Sequence, residues 1–260
     1  MRRFFLSAFL VLLPVVATAE NMPAPQTPAA QNAVRAPKLV EPHLHVSRSG
    51  NVVRPRVALT FDACMGQADE RILSTLVRER IPATIFVTAR WLRKNPQSVA
   101  IFLNNLDLFE LENHGQNHVP AVDVPVVIYG IAAAGSPEAV RQEVSGGADA
   151  MRAAGLAAPR WFRGSTAKYD PSAIRQIREM GYRVAGYSLN GDGGSLLGAG
   201  VTEQRITAAK DGDVVLAHIN QPTHAAGEGV ARALLALKRR GVEFVRLSDV
   251  DGMGDDDTTQ

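Results

Sequence analysis

The chain has 260 residues, enough for one large domain with a sizeable core. Its formal net charge is +2 and no basic stripe is visible, which argues against nucleic acid as a partner. The single cysteine, Cys64, excludes an internal disulfide.

Arg2 and Arg3 precede an apolar run from Phe4 to Val16, which is followed by Ala17-Thr18-Ala19. This is the charged, apolar and small-residue order of a secretory signal. The run contains Pro14 and is short for a membrane span. We therefore expect residues 1–19 to be a cleaved signal peptide. The mature product is then secreted or periplasmic, with no stable membrane span. Residues 20–50 are expected to form a flexible linker, rich in Pro, Ala, Gln and Asn up to Pro42; His43 and His45, at the edge of the domain, alternate as strand neighbours would and are read as surface residues. Residues 51–250 are expected to fold, and 251–260 to form an acidic tail.

Within the folded span, strand-like and helix-like patterns alternate. Arg56 to Cys64 alternates Val57, Leu59 and Phe61 with smaller residues and reads as a buried strand. Helical spacing follows over 70–80, 96–105, 136–154, 171–180, 202–210 and 229–240. Strands are expected over 83–88, 108–112, 160–163, 183–189, 213–218 and 243–247, with a long loop over 119–135. About seven βα units in one domain imply an α/β fold with a parallel sheet, open or closed.

Four of these strands end in reactive side chains, Asp62, His114, Arg163 and His218, and a fifth is followed by Asp192. In α/β folds the carboxyl ends of strands converge on one mouth. A carboxylate capping the next helix is the plain alternative for Asp62 alone. His114 and His118 are four residues apart, and a helical turn between them would aim both at one point, suiting Zn²⁺ or a similar ion. A pair of solvated loop histidines is the alternative. The metalloprotease pattern needs Glu after the first His, and Gly115 stands there. His218 closes an apolar strand and suits a general acid, or a histidine satisfied within the core. The serine-hydrolase elbow Gly-x-Ser-x-Gly is absent, although Gly186 to Asn190 comes close to it.

Together these pieces resemble the polysaccharide deacetylase family, carbohydrate esterase family 4, over roughly Arg56 to Leu247. Thr60-Phe61-Asp62-Ala63-Cys64 is similar to the family's Thr-Phe-Asp-Asp-Gly. His114 to Pro120 is similar to its His-Ser/Thr-x-x-His-Pro, with Val119 as one extra residue. Phe162 to Thr166 is a weak match to Arg-Pro-Pro-Tyr, Tyr187 to Asp192 falls at the acidic fourth motif, and Leu216-Ala217-His218 matches Leu-x-His.

The resemblance implies a single distorted (β/α) barrel of about seven strands. It implies hydrolysis of acetyl groups from an N-acetylated amino-sugar polymer or oligosaccharide, peptidoglycan or a chitin-like glycan. The cofactor it implies is a divalent metal, zinc first. Asp62 then matches the general base, His114 and His118 the metal ligands, and Arg163 the arginine that holds the base. His218 matches the acid, and the backbone N–H near Thr166 helps to hold the oxyanion.

The family's metal-binding Asp falls on Ala63, and its glycine on Cys64. Asn190 replaces one acid of the fourth motif, and Asp192 is one residue out of step with the other. The missing ligand is expected from Asp62 in a double role, or else from Asp69, Asp123 or Asp192. Cys64 can ligate zinc as a thiolate, but is read here as a small buried residue. A non-catalytic glycan-binding relative and an O-acetyl esterase on a xylan-like polymer are the alternative functions.

Overall fold

The computed structural model describes residues 37–50 and 53–255. The expected signal peptide lies outside these residues, as do most of the expected linker and the end of the acidic tail. The chain enters through β1 (His43–Val46) and then β2 (Arg56–Ala63), the strand expected from its alternation. Helix α1 (Glu70–Arg78) leads to β3 (Ala83–Val87), and α2 (Ala89–Lys94) and α3 (Pro96–Leu103) lead to β4 (Phe109–Asn113). A small hairpin, β5 (Val127–Ile128) with β6 (Ile131–Ala132), precedes α4 (Pro137–Ala153). Next come β7 (Trp161–Phe162), α5 (Pro171–Glu179), β8 (Arg183–Val184) and β9 (Leu189–Asn190). The chain closes with α6 (Ala199–Thr207), β10 (Asp213–His218), α7 (Ala226–Arg239), β11 (Glu243–Val245) and β12 (Gly252–Asp255).

The sheet order is β12-β1-β10-β2-β3-β4-β7-β8, with β11 on β2 and β9 on β10. From β10 to β8 every pairing is parallel, and β1 and β12 add antiparallel strands at one end. The result is a curled sheet with helices, the distorted (β/α) barrel implied by the resemblance. Its parallel strands deliver Ala63, Asn113, Phe162 and His218 to one end, which gathers the side chains that follow them.

The strand period assigns each residue of β2 to a face. Val57, Leu59, Phe61 and Ala63 share one apolar cluster with Leu73 and Leu76 of α1 and Leu234 and Leu237 of α7. Each large side chain buried there stabilises the fold by about 1.5–3 kcal/mol. Thr60 and Asp62 point the other way, into the curl, where both meet Arg163.

Two boundaries differ from the sequence expectation. β1 and β12 lie within the spans expected as linker and tail. Leu44 and Val46 are buried, and β1 pairs with both β10 and β12. A strand this short, in a Pro- and Ala-rich setting, owes its order to the sheet edge it covers rather than to local propensity. The hairpin β5–β6 and helix α2 were likewise not expected. Thr88 ends β3 and caps α2 by accepting the N–H of Trp91, so one residue makes both boundaries.

Glu112 on β4 supplies a test of the frame. Its Oε2 accepts the backbone N–H groups of Arg160 and Trp161, each at 2.8 Å. Burial, reinforced by the charge of Glu110, outweighs those donors and pushes the carboxyl from 4.5 up to about 8. The folded chain therefore keeps a proton that the unfolded chain has already released. This contribution is complete below the unfolded value and is lost as pH rises toward 8, at a limit of about 1.4 kcal/mol per pH unit. Urea unfolding at about pH 5 and about pH 8 should show lower stability at the higher pH. Glu112→Gln, which keeps an acceptor for both N–H groups, should flatten that slope; an unchanged slope would contradict this account of Glu112.

Candidate active site

Arg163 follows β7 and is completely buried. A guanidinium without water needs its donors matched and its charge offset. Nη1 donates to Thr60 Oγ1 at 2.9 Å and to Asp62 Oδ1 at 3.0 Å. Nη2 donates to Gly186 O at 2.8 Å and Nε to Ala185 O at 3.2 Å, and the group lies 4.3 Å from the centre of the Phe86 ring. Asp62 is thus held by one oxygen. Burial alone would raise its pKa, but His114, Arg163 and His218 outweigh it and hold the carboxyl below its ordinary value.

The Arg163 carbonyl has a second use. It stands 2.6 Å from His114 Nδ1. A carbonyl only accepts, so Nδ1 carries a proton. Burial works to lower the pKa of the ring, but Asp62 and Cys64 raise it, and when the ring gives up its other proton Nε2 presents a lone pair. That Nε2 lies 3.4 Å from Cys64 Sγ and 3.8 Å from Asp62 Oδ2. His118 approaches from the same loop, its ring centre 5.2 Å from that of His114, and its Nδ1 meets Ser165 Oγ at 3.3 Å.

The expected helical turn between the two histidines does not form. Gly115 and His118 take left-handed backbone angles, φ +91° and +63°, and residues 116 and 117 form a bend. Glu143 of α4 holds this turn. Its Oε1 accepts the N–H groups of Asn117 and Val119, and its backbone carbonyl accepts that of Gln116. Asn113 adds Oδ1 to Gly115 N and donates Nδ2 to Val144 O. Gly147 lets α4 come this close, since a Cβ there would lie 2.1 Å from Asn113 Oδ1. Sequence reasoning missed Glu143, although its spacing with Val140, Val144 and Gly147 puts it on the buried face of α4.

His218 ends β10. Its Nδ1 lies 3.0 and 3.2 Å from the two oxygens of Asp192, and its backbone N–H donates to Asp192 Oδ2 at 2.7 Å. Asp192 is wholly buried and faces His218, so it positions that ring rather than a substrate. Burial works to lower the His218 pKa, but the charge and hydrogen bond of Asp192, helped by Cys64, raise it well above the ordinary value. Thr166 sits beside Ser165 with a left-handed backbone, φ +69°, and a buried Oγ1 without a partner.

The donor set that fits a metal ion among the described residues is Cys64, His114 and His118, whose ligand atoms all lie within 4.8 Å of one another. Two imidazoles and one sulfur are a zinc-type set. Asp62 lies beside this group, not within it. Asp69 caps α1 and pairs with Arg71, and the Asp123 N–H donates to Asp170. Neither reaches the histidines as the acid that swings in. Cys64 is buried as expected, but its surroundings are imidazoles. Burial would raise the thiol pKa, yet His114, with His118 and His218, lowers it well below the ordinary value.

A curled parallel sheet with histidines, a carboxylate and a buried arginine at its carboxyl end defines a distorted α/β barrel with its candidate site at the strand ends. The chain belongs to the polysaccharide deacetylase family, whose profile matches residues 49–185. His218 lies beyond that match. No curated protein matches the sequence. Among solved structures, the chain is similar to BA3943, a CE4-family pseudoenzyme from Bacillus anthracis, with TM-score 0.61 and 20% identity over 77% of this chain and 66% of that one. The Bc1960 peptidoglycan N-acetylglucosamine deacetylase gives 0.64 and 18% over 79% and 90%. PdaA of Bacillus subtilis, a family 4 carbohydrate esterase, gives 0.61 and 17% over 79% and 84%. At these identities the likeness is one of fold.

The seating of α4 can be tested with Gly147→Ala. The added methyl meets Asn113 Oδ1 and the Gly115 backbone, so we expect about 1–3 kcal/mol of destabilisation and weaker metal binding by the histidine loop. Gly200→Ala in α6 meets nothing within 4 Å and should stabilise the fold by about 0.5–1 kcal/mol. Thermal melting and metal titration check both; equal behaviour of the two variants would contradict the close approach at Gly147.

Proposed function

We infer that this chain is a metal-dependent hydrolase that removes acetyl groups from an N-acetylated amino-sugar polymer or oligosaccharide, peptidoglycan first. One observation carries the reading. Asp62 with its Arg163 and His218 with its Asp192 flank the pair His114 and His118, so base, acid and metal donors face one another at the strand ends. The Bc1960 neighbour, a peptidoglycan deacetylase by its description, supports the choice of glycan.

His114 and His118 would hold the ion, with a third protein donor. When bound, a zinc-type ion supplies Lewis-acid polarisation of the acetyl carbonyl and acidifies water. Asp62, ionised and kept in place by Arg163, takes the proton from the attacking water. The water oxygen bonds to the acetyl carbon, and the N–H of Thr166 is the backbone donor assigned to the oxyanion. His218, kept protonated by Asp192, gives its proton to the sugar nitrogen as the C–N bond breaks. Acetate and a free amine leave. No described helix is long and apolar enough to cross a membrane. The reading as a secreted or periplasmic product rests on the charged, apolar and small-residue order of residues 1–19.

Ala63 favours a second reading, a glycan-binding relative without catalysis, and the pseudoenzyme neighbour gives that reading weight. Acetate measurement separates the two. Release from N-acetylated oligosaccharide or peptidoglycan, stopped by a chelator and restored by zinc, is the expected result. Polymer binding without acetate would make the chain a binding relative, and release from acetylated xylan alone would make it an esterase.

The role of His218 has its own test. Asp192→Asn removes the charge that raises the imidazole pKa. The alkaline limb of kcat/KM should then move to lower pH, and the rate should fall by about 10²- to 10⁴-fold, the usual worth of a positioned acid. An unmoved alkaline limb would mean that His218 is not the acid.

A further inference from the structure

We propose that Cys64 supplies the third protein ligand to the metal, replacing the carboxylate lost at position 63, and that Asp62 stays off the ion. This rests on the reading of His114 and His118 as metal ligands.

The strand period makes the first argument. Ala63 belongs to the apolar cluster beneath the helices, on the face with Val57, Leu59 and Phe61. A ligand at 63 on this path would be buried in that cluster. Thr60 and Asp62 occupy the opposite face. Cys64 is the next residue in that phase, and its sulfur reaches the imidazoles. Its position is fixed from behind. Thr88 Oγ1 donates to the Cys64 carbonyl at 2.5 Å, and Thr88 N to the Ala63 carbonyl at 3.3 Å.

Distance makes the second argument. The Sγ to Nε2 separation of 3.4 Å is close to that between two ligands of one tetrahedral zinc, about 3.5 Å from bonds of about 2.3 Å and about 2.0 Å. A plain thiol–imidazole hydrogen bond also has this length. The second imidazole decides between them, because His118 also brings a ligand atom within 4.8 Å of both others. A small apolar residue would fill the space without presenting a sulfur to two rings.

Asp62 has another partner: its Oδ1 is committed to the buried Arg163, and its Oδ2 lies 3.8 Å from His114 Nε2. The ligand atoms that all lie within 4.8 Å of one another belong to Cys64, His114 and His118, and no Asp62 oxygen is among them. With Cys64 as ligand, the carboxylate keeps its proton-accepting role. A two-nitrogen, one-sulfur set is also softer than the family's carboxylate set, and selects zinc or cobalt(II) over magnesium or manganese.

Cobalt(II) reports the ligand directly. Thiolate bonded to cobalt absorbs strongly in the near ultraviolet, whereas nitrogen and oxygen ligands give only weak visible bands. Cys64 is the only cysteine, so such a band has one possible source. Full-length protein stripped with chelator and titrated with cobalt(II) should develop the band at one equivalent. Cys64→Ser should lack it and bind more weakly by more than the ~10–100-fold that partners outside the ligand shell cost. Should that variant fail to fold, alkylation of the wild-type thiol by iodoacetamide gives the answer, since zinc should slow it by at least about tenfold. Cobalt binding without the near-ultraviolet band, or alkylation at the same rate with and without zinc, would overturn the assignment and leave the histidine metal site standing. Failure to bind cobalt or zinc at all would overturn both.

Discussion

A single buried cation sets the geometry on which the site depends. Arg163 has no water, so its charge and donors must be met by protein, and an unpaired charge at that depth costs several kcal/mol. The hydrogen-bond partners come from two places in the chain: Thr60 and Asp62 on β2, and the carbonyls of Ala185 and Gly186 after β8. Satisfying one guanidinium therefore fixes the phase of β2 and the path of the chain leaving β8. The same residue's carbonyl selects the tautomer of His114. Base and metal donor are thus oriented by two ends of one residue, and neither can turn freely.

Each remaining reactive group has its own holder. Asp192 fixes His218 through both side chain and backbone. Ser165 meets His118, and Glu143 ties down the turn that carries it. The turn runs through left-handed backbone at Gly115 and His118, a conformation a β-carbon disfavours at His118. It persists because α4 binds its N–H groups. Such preorganisation is what acid–base chemistry at a metal requires.

Much of this was legible in the sequence where the signal is local. β2 and β10 are long and apolar and carry Asp62 and His218 at or next to their last residue, and helices α1, α4, α5 and α7 carry clear periodicity and boundary residues. What escaped depends on partners distant in sequence. β1, with its Leu44 and Val46, has no strand pattern strong enough to outweigh its Pro-rich surroundings, and it exists because β10 and β12 flank it. Asp192 looked like an acid out of step with a motif, and only the loop after β9 shows that it backs His218. Cys64 falls in the same phase as Thr60 and Asp62 by the period of two, whereas the motif alignment places the family's ligand on Ala63, whose side chain lies in the apolar cluster.

In the proposed site the end of β2 and the residue after it have separate duties, Asp62 toward Arg163 and Cys64 toward the metal. A crystal structure of zinc-loaded protein, with anomalous scattering recorded above and below the zinc edge, tests it most directly. We predict one anomalous peak bounded by Cys64 Sγ and by nitrogens of His114 and His118, with Asp62 still on Arg163. A peak held by the Asp62 carboxylate with the Cys64 sulfur turned away, or no peak at the histidines, would contradict the account.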